Sequence, residues 1–315
     1  MNAEVKVAMN AKVEPQGGEA FKARIVEFAR TASTEISTHD EELLPALLNK
    51  LPAGMTVYVA HTPKATLDDV VRVAAKAQSL GFRASPHIVA RRLESERALR
   101  SALGELTEAG VEQVLLVAGD REQPLKYAST LEVIDSGALE AAGIKYAGVA
   151  GHPEGHRNVG PTVLLAALRH KQAWAERSGI KVHIATQFGF NPDGACQWAQ
   201  SLTEQGITLP VHMGIAGPTP LQKLIRFAMA CGVGASLGSL MKNMSAMTNL
   251  ARMKTGSDEM LVGVLRGCAA YPQARIVRPH FYAFGGVMAT ATWMRAVMDG
   301  AFELQPDSDK FAMNP

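Results

Sequence analysis

Short apolar runs alternate with longer segments whose apolar residues recur every three or four positions, and the alternation repeats along most of the chain. The short runs are apolar on both faces of the pleat. They predict strands over 33–37 (STEIS), 56–61 (TVYVAH), 82–87 (FRASPH), 113–119 (QVLLVAG), 145–151 (KYAGVAG), 181–188 (KVHIATQF), 208–214 (TLPVHMG) and 275–283 (RIVRPHFYA). The periodic segments predict helices over 41–51, 66–80, 92–109, 129–142, 161–178, 193–205, 219–231 and 287–301. Two extra helices, about 238–253 and 257–269, are expected between the seventh and eighth strands. The helix at 66–80 has the clearest signals. Leu67, Val70, Val71, Val73, Ala74 and Ala77 share one face, Thr66 with Asp69 reads as a capping pair, and Gly81 ends it.

Eight strand–helix units predict an α/β fold, a closed parallel (β/α)8 barrel of the TIM-barrel type, over residues 21–303. A doubly wound open sheet is the competing architecture, and the count of eight favours the barrel. Residues 1–20 and 304–315 lack periodicity and are expected to be tails.

At 315 residues and 47% hydrophobic composition the chain can bury a large core. The net charge of +2, with both signs interleaved, gives no electrostatic footprint for nucleic acid. Cys196, Cys231 and Cys268 are far apart without CxxC spacing, which suits reduced thiols in a cytoplasmic protein. No secretory h-region and no run of 18 apolar residues is present. The expected partners are a small-molecule substrate and further copies of the chain in a homo-oligomer, with no nucleic acid and no membrane.

Barrels of this kind carry their chemistry at the C-terminal ends of the strands. Polar residues collect there: Glu35, His61 with Thr62, His87, Asp120, His152 with Glu154 and His156, Gln187, His212, and His280 with Tyr282. No serine or cysteine sits in a nucleophile elbow. The run GVGASLG (232–238) follows a helix rather than a strand, unlike a dinucleotide-binding loop. In VAGHPEGH (149–156) the two histidines suggest a metal, but Pro153 and Gly155 make the segment a loop, and no carboxylate-rich cluster accompanies it. No metal is therefore expected, and each histidine could equally be a hydrogen-bonded strand-end residue. In LLVAGDREQPLKYASTLEVI, Gly119 would let a flat ligand approach the backbone and Asp120 supplies a fixed acceptor. The helix start near Tyr127–Ser129 would suit an anion such as a pyrophosphate.

In chain order these motifs resemble the methylenetetrahydrofolate reductase family, flavin enzymes on a (β/α)8 barrel, over roughly residues 22–302. STEIS matches the family's Glu-bearing first strand and ASPH its third-strand end. VAGD…YASTL, GVAGHPEGH, IATQFGFNPD, HMGIAGPTPLQKL and RPHFYAF follow in family order. The resemblance implies FAD-mediated interconversion of 5,10-methylenetetrahydrofolate and 5-methyltetrahydrofolate, with NAD(P)H as the electron donor, in one-carbon metabolism. Glu35 matches the general acid that protonates folate N10, Asp120 the aspartate beside flavin and pterin, and Gln187 the pterin-binding glutamine. Thr62, His87, Ala118, Gly119, Tyr127, Ala128, His152 and His156 match flavin-contacting positions, and Lys171 a basic residue facing the flavin phosphates. Leu221 and Tyr282 fall on the substrate side.

The chain departs from the family at several of these positions. Ala118 replaces an arginine, His152 a tyrosine, and Leu221 a phenylalanine that packs on nicotinamide and folate. Gly285 and Gly286 replace a substrate-contacting Asn-Arg pair, and TVLLAALRHK lacks the family's flavin-facing Asp and Asn. A flavin-independent, tetrahydrofolate-binding methyl transferase that keeps Glu35, Asp120 and Gln187 is the alternative reading.

Overall fold

A computed structural model describes residues 18–231, 256–305 and 308–313. Eight parallel strands hydrogen-bond in chain order and close into a barrel. They are Ser33–Ser37 (β1), Thr56–Ala60 (β2), Arg83–Val89 (β3), Gln113–Val117 (β4), Tyr146–Gly151 (β5), Lys181–Thr186 (β6), Val211–Ala216 (β7) and Ile276–Tyr282 (β8). The fold is the (β/α)8 barrel that the alternation implied. β7 opens at Val211 rather than at 208. Pro210 precedes it and has no N–H to give to a ladder.

The helices follow the periodicity with instructive exceptions. Leu67–Ser79 is capped as expected: Thr66 Oγ1 accepts from the Asp69 N–H at 3.1 Å, and Asp69 accepts from the Thr66 N–H at 3.0 Å. The segment at 92–109 becomes helical only at Glu96, where Ser95 caps it, because Ala90–Arg92 forms a separate 3-10 turn. The single helix expected over 129–142 is two, Thr130–Asp135 and Ala138–Ala141, broken at Gly137 with φ +66°. The 41–51 segment is a 3-10 turn, Thr38–Leu43, running into a single helical turn, Leu44–Leu47. Ser257–Ala270 matches the second of the extra helices, while 238–253 and the GVGASLG run lie outside the described residues.

Residues 18–20 of the expected N-terminal tail, and 304 and 311–313 of the C-terminal one, belong to regular elements. A helix starts at Gly18 and runs to Arg30, burying Ile25, Phe28 and Ala29 at helical spacing. At the other end Phe302–Leu304 (β9) pairs antiparallel with Phe311–Met313 (β10), and Phe311 is buried, stacked on Trp293. No helix among the described residues is long and apolar enough to cross a membrane.

Contacts gather the chain into two compact units. The first comprises Ser33–Gly151 and Thr162–Ala185, and its helix Leu67–Ser79 packs on β2 and β3. Tyr58, Leu115 and Ala185 form an inner cluster there, flanked by Val117. The second comprises Met1–Ala32, His152–Pro161 and Thr186–Pro315. In it helix Gly18–Arg30 packs on helix Val287–Met298, and Arg30 Nε donates to the Met298 carbonyl at 3.2 Å.

Candidate active site

In the first unit Glu35 lies in the middle of β1, in register with Tyr58 of β2, which is in register with Ser85 of β3. Tyr58 is fully buried, and its hydroxyl is hydrogen-bonded to His183 Nε2 at 2.7 Å. β2 and β6 are not neighbours in the sheet, so this bond crosses the barrel interior. The Tyr58 ring also meets the His87 ring edge-on, with centroids 6.3 Å apart. His87 Nε2 lies 3.5 Å from Glu35 Oε2.

Burial pushes the Glu35 carboxyl up to about 8, and the Asp40 carboxylate adds to the shift. Burial also pushes His87 down to about 3, with His61 adding to it. At neutral pH Glu35 is therefore a carboxylic acid beside a neutral imidazole. The two are close enough to be classed as an ion pair, yet charging both would remove two solvation shells for a contact too long to repay them. The protonated acid is the state we assign.

Asp120 extends beyond β4 with its side chain 73% exposed. Arg92 donates to Asp120 Oδ1 at 2.8 Å and to the His61 carbonyl at 2.9 Å. The hydrogen bond from Arg92 holds the Asp120 carboxyl below the usual carboxylate range. Arg91 donates from its main chain to the Ala118 carbonyl and from its guanidinium to the carbonyls of Ala128 (2.9 Å) and Arg121 (3.1 Å). Two consecutive arginines thus tie the 118–128 loop to the end of β3. Sequence reasoning missed both, although an Arg-Arg pair directly after a strand was the available signal.

Two features of this loop also have local structural roles. Gly119 has φ +90°, and a Cβ there would stand 2.5 Å from Val89 Cγ1, so packing on β3 already explains the glycine without a flat ligand. At the helix start near Ser129, two N–H groups are already taken by side chains. Ser129 Oγ accepts from the Glu132 N–H, and the Glu132 carboxylate accepts from the Ala128 N–H at 3.0 Å. Tyr127 is buried beside this start. Lys171 lies with Leu168 and Trp174 on the buried face of helix Pro161–Ser178, and burial pushes its ammonium down to about 8.

His61 Nδ1, Thr62 Oγ1, Ser85 Oγ and His87 Nε2 are buried without a hydrogen-bond partner among the described residues. Buried polar atoms are normally paired. Four orphans on and just beyond β2 and β3 fit a bound molecule carrying both donors and acceptors.

In the second unit the His152 and His156 rings meet edge-on at 5.0 Å. Glu154 accepts the Phe190 N–H at 2.9 Å, pinning the HPEGH loop to the segment after β6. Gln187 Oε1 accepts the Phe188 N–H at 3.1 Å, so the carbonyl half of this amide is engaged locally. Leu221 is buried among Phe188, Leu224 and Phe284. Tyr282 donates to the Thr186 carbonyl at 2.8 Å and its ring stacks on Phe284. His212 and His280 are buried within β7 and β8. Phe284 has φ +47°, a strained value for an aromatic residue, directly after β8. Nothing in the sequence pattern had marked it.

No family model matches the chain. Among solved structures it is similar to a variant tryptophan synthase α-subunit from Pyrococcus furiosus, at 11% identity over 86% of this chain and 98% of that one, with a TM-score of 0.50. It is also similar to dihydropteroate synthase from Thermus thermophilus, at 14% identity over 83% of this chain and 92% of that one, with a TM-score of 0.45. At such identities the likeness concerns the barrel fold alone.

Proposed function

We propose that the chain is an oxidoreductase that interconverts 5,10-methylenetetrahydrofolate and 5-methyltetrahydrofolate, with FAD as cofactor, NAD(P)H as electron donor and Glu35 as general acid. The observation that carries this reading is the Glu35–His87 pair, in which a largely buried carboxyl keeps its proton at neutral pH beside an imidazole that stays uncharged. A carboxyl tuned in this way can protonate a weakly basic amine nitrogen as a C–N bond opens, and it takes the proton back in the reverse direction.

Thr62 and His87 would hold the flavin through their unpaired buried atoms, with Ala118, Gly119, Tyr127 and Ala128 beside it. The flavin supplies hydride chemistry that no side chain has. Arg92 fixes the direction of the Asp120 carboxylate, which is then an oriented acceptor for a ring N–H. The roles of Gln187, Leu221, Tyr282, His152, His156 and Lys171 rest on the family resemblance.

The test is a visible absorption spectrum of purified protein, before and after NADH and then methylenetetrahydrofolate. The expected result is a flavin spectrum, bleached by NADH and restored by the folate. Glu35→Gln should keep the spectrum and lower turnover by roughly 10²–10⁴-fold. Protein that carries no flavin and cannot be reconstituted with FAD would sink the redox reading. If such protein still bound tetrahydrofolate, the flavin-independent methyl transferase would replace it.

A further inference from the structure

Away from these residues, helices Pro192–Glu204 and Ser257–Ala270 pack together in the second unit, with Cys196 facing Gly267, the residue before Cys268, so that the two thiols act on one another electrostatically. The approach depends on a small neighbour. A Cβ on Gly267 would stand 2.5 Å from Cys196 Sγ. The environments of the two sulfurs differ. Cys196 is fully buried, and its Sγ lies 3.6 Å from the Val264 carbonyl. Cys268 is half-buried. Arg24, on helix Gly18–Arg30 packed against Ser257–Ala270, acts electrostatically on Cys268, and its Nε is buried without a hydrogen-bond partner among the described residues. A cationic guanidinium acting on a partly accessible thiol, with a second thiol on the facing helix, is the arrangement that makes a cysteine oxidisable and gives it a resolving partner.

We propose that Cys268 and Cys196 are a redox-reversible dithiol, closed to an intrachain disulfide by a peroxide. Cys268 is the attacking sulfur. The hydrogen bond from Cys196 and the Arg24 charge pull its thiol down, against the opposing effect of burial. The hydrogen bond with Cys268 pushes the Cys196 thiol up, as does its burial. The Cys268 thiolate attacks one peroxide oxygen, the O–O bond breaks, and the departing hydroxide takes a proton and leaves as water. Cys268 is now a sulfenic acid. Cys196 sulfur attacks it, the S–O bond breaks, the S–S bond forms, and the Cys196 proton leaves with the hydroxyl as a second water. Two thiols lose two electrons and the peroxide gains them. A dithiol reductant reverses the step by exchange.

The test uses the full chain treated with hydrogen peroxide, then alkylated and mapped by mass spectrometry. A peptide pair joined through Cys196 and Cys268 is expected within single chains, lost on treatment with dithiothreitol, and present equally in Cys231→Ser. Because the bond closes a long stretch of chain, the oxidised protein should also melt several degrees higher. In Cys196→Ser the sulfenic acid has no resolving partner, and dimedone should label Cys268. In Cys268→Ser, Cys196 should stay unlabelled. Peroxide that oxidises the exposed Cys231 while Cys196 and Cys268 both remain open to alkylation after unfolding would overturn the proposal. Joining of the two cysteines only between separate chains would overturn it as well.

Discussion

At the scale of single residues, the sequence located polar groups but not the forces acting on them. Glu35, His87 and Asp120 stand out because each ends or interrupts an apolar run, and that much is legible. Tyr58 and His183 were passed over because each lies inside a strand, Tyr58 between two valines and His183 two residues before Ala185. Only barrel closure brings β2 and β6 face to face and shows that the two side chains satisfy one another. Tyr58→Phe removes the hydroxyl and withdraws that bond from a buried imidazole. The expected cost is about 1–3 kcal/mol, read from the midpoint of chemical denaturation. A variant as stable as the wild type would show that the bond contributes nothing net. Arg92 was missed for a different reason, because its role depends on where the loop after β4 returns. A charge pair between residues 92 and 120 has no periodic signature.

At the scale of elements, all eight strands were legible because most are written as short apolar runs between helical periods, while β1 and β3 carry polar residues within them. Helix ends were legible where a capping pair marks them, as at Thr66 and Asp69. Thr66→Ala should destabilise by about 1 kcal/mol, whereas Thr66→Ser should be nearly neutral, and equal losses in the two variants would count against capping as the cause. The helix Gly18–Arg30 was not among the expected helices, because charged residues break up its few apolar positions. Its Ile25 and Phe28 nevertheless carry helical spacing and are buried. Ile25→Ala should therefore cost about 3 kcal/mol, and thermal unfolding measures it directly. The breaks at Gly137 and before Glu96 were not legible, since each is imposed by a turn the periodicity runs straight through.

At the scale of the whole molecule, the two neutral groups make stability depend on pH in opposite directions. Glu35 ionises more readily in the unfolded chain, at its ordinary 4.5, than in the folded one, at about 8. Between those values the folded state holds the extra proton, so stability falls as pH rises through about 8. His87 runs the other way, from an ordinary 6.5 to about 3 in the fold, so its contribution is complete above 6.5 and is lost as pH falls towards 3. Between 4.5 and 6.5 the two slopes oppose each other, which leaves a plateau. From 6.5 to 8 Glu35 acts alone of the two, and the loss there is about 2 kcal/mol. Lys171, lowered to about 8 from 10.5 by burial, gains stability with rising pH only above that window. Glu35→Gln should therefore match the wild type below pH 4.5 and exceed it increasingly from pH 4.5 to 8, while His87→Gln should hold its stability better as pH falls below 6.5. Urea midpoints measured across this range decide the matter. Parallel curves for wild type and Glu35→Gln would mean that Glu35 is already ionised in the folded protein, and the acid assigned to the reaction would have to be sought elsewhere.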